Sequence, residues 1–125
     1  MRILAVDDDE SILSILRMLV GRAGYKDFVM ARSAGEALEL IAAAREPFQY
    51  ILLDIQMPVM DGIEFCDLIR RLPAYTQCPI VMLTAMTERK FVDQAYAAGA
   101  TDYVIKPFDV NVLATSLAMA AERLG

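Results

Sequence analysis

The stretch Tyr50-Ile-Leu-Leu-Asp-Ile-Gln-Met-Pro-Val-Met-Asp-Gly62 decides the fold. Its first four residues, Tyr50 to Leu53, are apolar without alternation, the pattern of a short strand covered on both faces and therefore of a parallel sheet between helices. Asp54 stands at the carboxyl end of that strand. Helix cannot follow at once, because the Pro58 ring biases Met57 toward extended geometry, and Asp61-Gly62 marks a turn into the next helix. A lone carboxylate so placed is ordinarily a turn former or a helix cap. Asp54 is not alone.

Four further apolar runs surround this one: Ile3 to Val6, Phe28 to Ala31, Ile80 to Leu83 and Tyr103 to Ile105. Helix-period segments separate them. Ile12, Leu13, Leu16, Leu19 and Val20 mark helix one, closed by Gly21 and Gly24. The capping box Ser33-Ala-Gly-Glu36 opens helix two, which runs through Ala44. Helix three spans 64 to 72 and stops at Pro73. Thr87 is expected to cap helix four, ending at Gly99, and Asp109 to cap helix five, with Val112, Leu113, Leu117 and Leu124 as its inner stripe. The strict (βα)5 alternation predicts an α/β fold, a doubly wound five-stranded parallel sheet with helices on both faces. The 125 residues are expected to form one domain, 1–125, long enough to bury about two-thirds of the surface of the unfolded chain.

Composition excludes several classes of function. Two cysteines and no histidine imply neither a zinc site nor a disulfide framework, and fit a reduced, cytoplasmic setting. The apolar N-terminal run is too short for a signal peptide, and no run reaches the length of a membrane span, so no membrane partner is expected. A net charge of −5 without clustered Lys and Arg argues against direct nucleic-acid binding.

In open parallel sheets ligands bind beyond the carboxyl ends of the strands. There the sequence places Asp7 and Asp8 after strand one, Asp54 after strand three, Thr84 after strand four and Lys106 after strand five. Strand two ends in Ala31-Arg32-Ser33 and contributes no acid. Carboxylates crowded together repel unless a cation is present. Magnesium, which takes oxygen ligands and uses one or two protein carboxylates plus a phosphate, fits this set better than calcium, whose loop spacing is missing. A metal, a carboxylate, an ammonium and a hydroxyl make a phosphoryl-transfer site. Asp54 would be the nucleophile forming an acyl phosphate, with Lys106 and Thr84 on the phosphoryl oxygens. Asp9 and Glu10 fit the positive start of helix one better than the metal. Met57, Met60 and Met86 fit adaptable packing around a loop, and Cys66 a small buried side chain.

Taken together, Ile3-Leu-Ala-Val-Asp-Asp8, Asp54-Ile-Gln-Met-Pro-Val-Met-Asp-Gly62, Leu83-Thr-Ala85 and Tyr103-Val-Ile-Lys-Pro-Phe108 resemble the receiver domain of two-component response regulators, of the chemotaxis-regulator type. The resemblance spans essentially the whole chain. It implies a flavodoxin-like sheet of order 2-1-3-4-5 and phosphorylation of Asp54 by a sensor histidine kinase or a histidine phosphotransfer protein. It further implies Mg2+ held by Asp7, Asp8, Asp54 and the backbone carbonyl of Gln56, with Thr84 and Lys106 binding the phosphoryl group and a cis peptide at Lys106-Pro107. Thr84 and Tyr103 would be the switch, and Gln56 and Met86 would tune the lifetime of the phosphorylated state. The signal would leave through helix four, strand five and helix five, where Phe91 and Val92 are candidate contacts, toward a downstream effector or fused output domain. Family members with winged-helix outputs carry a charged dimer face there. Val92, Ala97 and Thr115 occupy the corresponding places here, which weighs against that form of dimer and leaves a homodimer through this face open.

Two other readings share the topology. An aspartyl-nucleophile, magnesium-dependent phosphatase or phosphotransferase generally has a second acid two residues after the nucleophile, where this chain has Gln56; turnover of a small phosphomonoester would distinguish it. A flavin-binding module would need a loop rich in Ser, Thr and Gly after strand one, whereas Asp7-Asp8-Asp9-Glu10 would repel the cofactor phosphate.

Overall fold

The computed structural model describes residues 1–124. Five parallel strands, β1 (Ile3–Val6), β2 (Phe28–Ala31), β3 (Tyr50–Leu53), β4 (Ile80–Thr84) and β5 (Asp102–Ile105), form one sheet in the order β2-β1-β3-β4-β5. The connecting helices are α1 (Glu10–Arg22), α2 (Ala34–Ala43), α3 (Gly62–Arg70), α4 (Arg89–Ala97) and α5 (Val110–Arg123), with a short 3-10 turn at Pro73–Tyr75. This is the predicted doubly wound, flavodoxin-like α/β fold.

The apolar strands divide their side chains between two cores. Ile3, Ala5, Tyr50, Leu52, Val81, Leu83 and Val104 pack against α1 and α5; Leu4, Val6, Ile51, Leu53, Ile80 and Met82 pack against α2, α3 and α4. Burial on both faces explains why the runs of β1, β3 and β4 do not alternate. Each fully buried Leu, Ile or Val contributes about 2 kcal/mol relative to an exposed one.

Helix boundaries follow local chemistry. Side chains of Asp9, Ser33, Asp61 and Asp109 accept backbone amides at the starts of α1, α2, α3 and α5. Three expectations need correction. α3 begins two residues early, because the Asp61 carboxylate already binds the Glu64 amide, and it ends at Arg70 before the Pro73 turn. Thr87 does not cap α4; Glu88 occupies the cap position and makes no side-chain bond. The inner stripe of α5 is Leu113, Leu117 and Ala120, whereas Val112 and Leu124 are exposed. At 100° per residue Val112 falls on the flank beside Leu113.

Candidate functional site

The ladder continues past the strand ends and fixes the site. The Asp7 amide donates to the Ala31 carbonyl (3.1 Å), the Asp54 amide to Val6 (3.0 Å) and the Lys106 amide to Thr84 (2.8 Å). Asp7, Asp54 and Lys106 are thereby set side by side on one sheet edge. Carboxylate oxygens of Asp7, Asp8 and Asp54 lie within 4.8 Å of one another. Asp7 and Asp54 are buried, and Asp8 is open to solvent.

The three carboxylates are engaged unequally. One Asp7 oxygen accepts the Asp9 amide (2.9 Å) and the other the Lys106 ammonium (2.7 Å). Besides the Thr84 hydroxyl, Asp54 has a long contact from the Gln56 amide (3.4 Å) and lies 3.6 Å from the Lys106 ammonium. The ammonium therefore rests on Asp7, not on Asp54. Burial raises the Asp54 pKa above its usual 3.8, and the Asp7 charge raises it further; Lys106, the Thr84 hydroxyl and the Gln56 amide pull the other way. Asp54 is thus the buried acid whose lone pairs are least committed.

The loop after Asp54 depends on glycine at one position. A Cβ on Gly62 would stand 2.8 Å from the Asp54 carbonyl carbon and 2.9 Å from the Ile55 Cα. Only glycine lets α3 start this close to Asp54. Within the loop, Val59 is fully exposed and adopts φ 71°, a conformation that strains a β-branched residue. The Met60 amide donates to the Pro58 carbonyl (2.9 Å) and closes the tight turn around Val59.

On the other side of Asp54, Thr84 is fully buried and its hydroxyl accepts the Met86 amide (3.3 Å). The half-buried Tyr103 donates its hydroxyl to the Met86 carbonyl (2.7 Å). Thr84 and Tyr103 therefore meet on the same short loop, and Gln56, two residues after Asp54, is exposed. The Lys106-Pro107 peptide is cis, as the resemblance implied. Phe91, expected on the outer surface, is half-buried and packs against the core behind α4, and Val92 is also half-buried. Met57 is buried and Met60 packs against the same core, in keeping with a packing role.

The cysteines take no part. Cys66 and Cys78 are buried and unlinked, and burial pushes their thiols up to about 11 and about 12, so both stay protonated. Among the described residues no helix is long and apolar enough to cross a membrane.

Val59 and Arg70, whose guanidinium bridges three carbonyls away from the acids, were not singled out from the sequence as parts of this arrangement. Gly62 was read from the sequence as part of the turn into helix three, not as a close approach to Asp54.

Residues 3–118 match the model of the response regulator receiver domain. The chain is 40% identical over 107 residues to the alkaline phosphatase synthesis transcriptional regulatory protein PhoP of Bacillus subtilis, covering 86% of this chain and 42% of that protein. It is 36% identical over 115 residues to the transcriptional regulatory protein YvrH of the same organism, covering 92% and 46%. The chain spans less than half the length of these relatives. Among solved structures it is similar to the chemotaxis protein CheY4 of Vibrio cholerae, with 36% identity, a TM-score of 0.86, and coverage of 95% and 97% of the two chains. Sequence, sheet order and the acidic edge agree: the chain belongs to the response regulator receiver domain family of two-component signalling systems.

Proposed function

We propose that the chain is a phosphoacceptor switch in which Asp54 takes a phosphoryl group from the phosphohistidine of a sensor histidine kinase or a histidine phosphotransfer protein. The observation that carries this reading is the unequal engagement of the acids. Both Asp7 oxygens hold close partners, while Asp54 faces the same ammonium at 3.6 Å and the Gln56 amide at 3.4 Å. An Asp54 oxygen attacks phosphorus, a P–O bond forms, the P–N bond to the donor imidazole breaks, and the nitrogen keeps the electron pair. Lys106 and Thr84 supply an ammonium and a hydroxyl to the phosphoryl oxygens.

The donor set suits Mg2+. Asp7, Asp8 and Asp54 offer oxygen only, and with Lys106 their formal charge is −2, which one divalent cation balances. These residues would hold the ion together with the Gln56 backbone carbonyl. When bound it would neutralise charge developing on the phosphoryl oxygens. The test is incorporation from a small phosphoramidate: an acid-stable, base-labile acyl phosphate should form with Mg2+ and fall at least about a hundredfold with a chelator. Incorporation unaffected by the chelator would remove the metal from this reading.

The switch works through Thr84 and Tyr103. A phosphoryl group adds up to two negative charges and three acceptor oxygens beside the Thr84 hydroxyl, which then has a stronger acceptor than it has now. Turning toward it, Thr84 gives up the Met86 amide and disturbs the loop that Tyr103 holds. The altered surface is α4, β5 and α5, where Tyr96, Val112 and Met119 are exposed apolar side chains available to an effector, an output domain or a second copy. Thr84→Ala should accept phosphate yet leave the amide resonances of residues 86 to 105 unmoved; wild-type shifts in that variant would rule out the hydroxyl as relay.

Gln56 and Met86 flank the line along which water reaches the acyl phosphate. Gln56 can orient water and Met86 cannot. Met86→Ala should therefore speed autodephosphorylation by about threefold to tenfold in a timed decay of the labelled protein, a barrier change of about 1 kcal/mol. Unchanged decay would show that Met86 does not shield the site. The reading makes the chain a signalling domain of 125 residues acting in the cytoplasm, without direct nucleic-acid contact.

A further inference from the structure

With no tryptophan or histidine and only two cysteines, the sequence leaves its eight methionines as the side chains most open to peroxides. The cysteines are out of play. Cys66 and Cys78 are buried, and burial raises their thiols to about 11 and about 12, so neither presents the thiolate that peroxides attack. The methionines differ in access. Met57 and Met82 are buried, Met18 on α1 and Met119 on α5 are exposed, and Met60 and Met86 are half-buried at the margin of the core cluster that holds Met57 and Met82.

Met86 stands apart in what its backbone carries. Its amide donates to the Thr84 hydroxyl (3.3 Å) and the Tyr103 hydroxyl latches onto its carbonyl (2.7 Å), so both proposed switch residues are tied to this one residue. Its side chain packs on the core beneath the same loop. Met60, on the loop after Asp54, carries neither bond; its amide closes the turn onto Pro58.

We infer that Met86 is an oxidation site through which peroxides shorten the life of the phosphorylated state. The sulfur lone pair attacks one peroxide oxygen and the O–O bond breaks; the hydroxide released takes the proton of the transferred oxygen and becomes water. The thioether is oxidised by two electrons to a sulfoxide, and the peroxide is reduced. Two consequences act in the same direction. The sulfoxide oxygen accepts hydrogen bonds, so it orients water beside the acyl phosphate where the thioether only obstructs it. A polar group also fits the apolar cluster poorly, so the side chain withdraws from the core and the loop above it loosens. The effect on lifetime rests on the phosphoacceptor role of Asp54 proposed above, whereas the access of peroxide to the thioether does not.

Hydrogen peroxide applied to the full chain tests both parts. By peptide mass mapping of the unphosphorylated chain, Met86 should oxidise within about threefold of the rate of Met18 and Met119, and at least about tenfold faster than Met57 and Met82. The oxidised chain, labelled from phosphoramidate with Mg2+, should lose its label about fivefold faster than the untreated chain, and a methionine sulfoxide reductase should restore the slow loss. Met86→Leu keeps the apolar bulk without a thioether, so peroxide should change its decay less than about twofold, while Met60→Leu should keep the full acceleration. Oxidation of Met86 as slow as that of Met82 overturns the inference. So does unchanged or slower decay of the oxidised chain, or an acceleration that survives in Met86→Leu or vanishes in Met60→Leu. An untreated chain that takes up no label defeats the phosphoacceptor reading instead, and the order of oxidation is still read on the unlabelled chain.

Discussion

Asp54→Asn takes up no phosphoryl group and, without metal at neutral pH, melts above the wild type. The first effect follows from loss of the nucleophile proposed here: the amide has no anionic oxygen to attack phosphorus, and Asp7, the buried acid beside it, already has both oxygens engaged. The second follows from the direction of the Asp54 pKa. Burial and the Asp7 charge raise it in the folded chain above 3.8, so the folded state holds that proton more tightly than the unfolded state does. Stability from this group is full at pH below 3.8 and is lost as pH rises through the higher folded value. Asparagine carries no charge to disfavour. The difference in melting temperature between variant and wild type should therefore open as pH rises from 3.8 to 7 and narrow when Mg2+ is added to the wild type. Labelling that persists in the variant would defeat the assignment of Asp54. A variant that melts below the wild type at pH 7 without metal would mean that the ionised carboxylate is stabilising.

Gly62→Ala should cost about 3 kcal/mol of stability, at the upper end of what one inserted methyl does in a packed interior. The added carbon would meet backbone on two sides, the Asp54 carbonyl and the Ile55 Cα, and neither can rotate away as a side chain would. Relief requires the start of α3 to retreat or the Asp54 peptide to tilt. In either case the acceptor moves relative to Lys106, and misplacement on the scale of an ångström slows transfer by about a hundredfold. Urea denaturation and the rate of phosphoryl uptake measure the two effects separately. Gly35→Ala is the control, because a Cβ there makes no contact closer than 3.9 Å. If Gly62→Ala resembled Gly35→Ala in both measurements, close approach at the acceptor would have no consequence.

The sheet was legible because β1, β3 and β4 are buried on both faces and the half-buried edge strands are still largely apolar; β1, β2 and β3 begin and end where the runs do. Asp7, Asp54 and Lys106 could be read as a site for the related reason that a polar residue directly after such a run must lie at the sheet edge. Features made by distant neighbours were not legible. Arg70 looks like any basic residue in the last turn of a helix until Gly99, 29 positions later, comes to rest under its guanidinium. The start of α4 misled because Thr87 is the better capping residue, yet the chain turns one position later at Glu88. Strain at Val59 carries no signature in the sequence, since valine is a residue that normally avoids that conformation.

The latch between Tyr103 and Met86 also gives the molecule an optical reporter. The sequence has no tryptophan and five tyrosines, so near-ultraviolet absorption and emission come from phenol rings. Tyr50 and Tyr75 are locked in the core, their hydroxyls bonded to Ser116 (2.6 Å) and to the Phe48 amide (3.1 Å). Burial lifts the Tyr50 phenol to about 12, out of reach of ordinary buffers. These two rings form a constant background. Tyr103 is half-buried, and its hydroxyl is tied to a loop carbonyl that the proposed switch disturbs. Release of that bond changes the polarity around one fluorophore in five, so the state of the loop can be followed by unlabelled tyrosine emission.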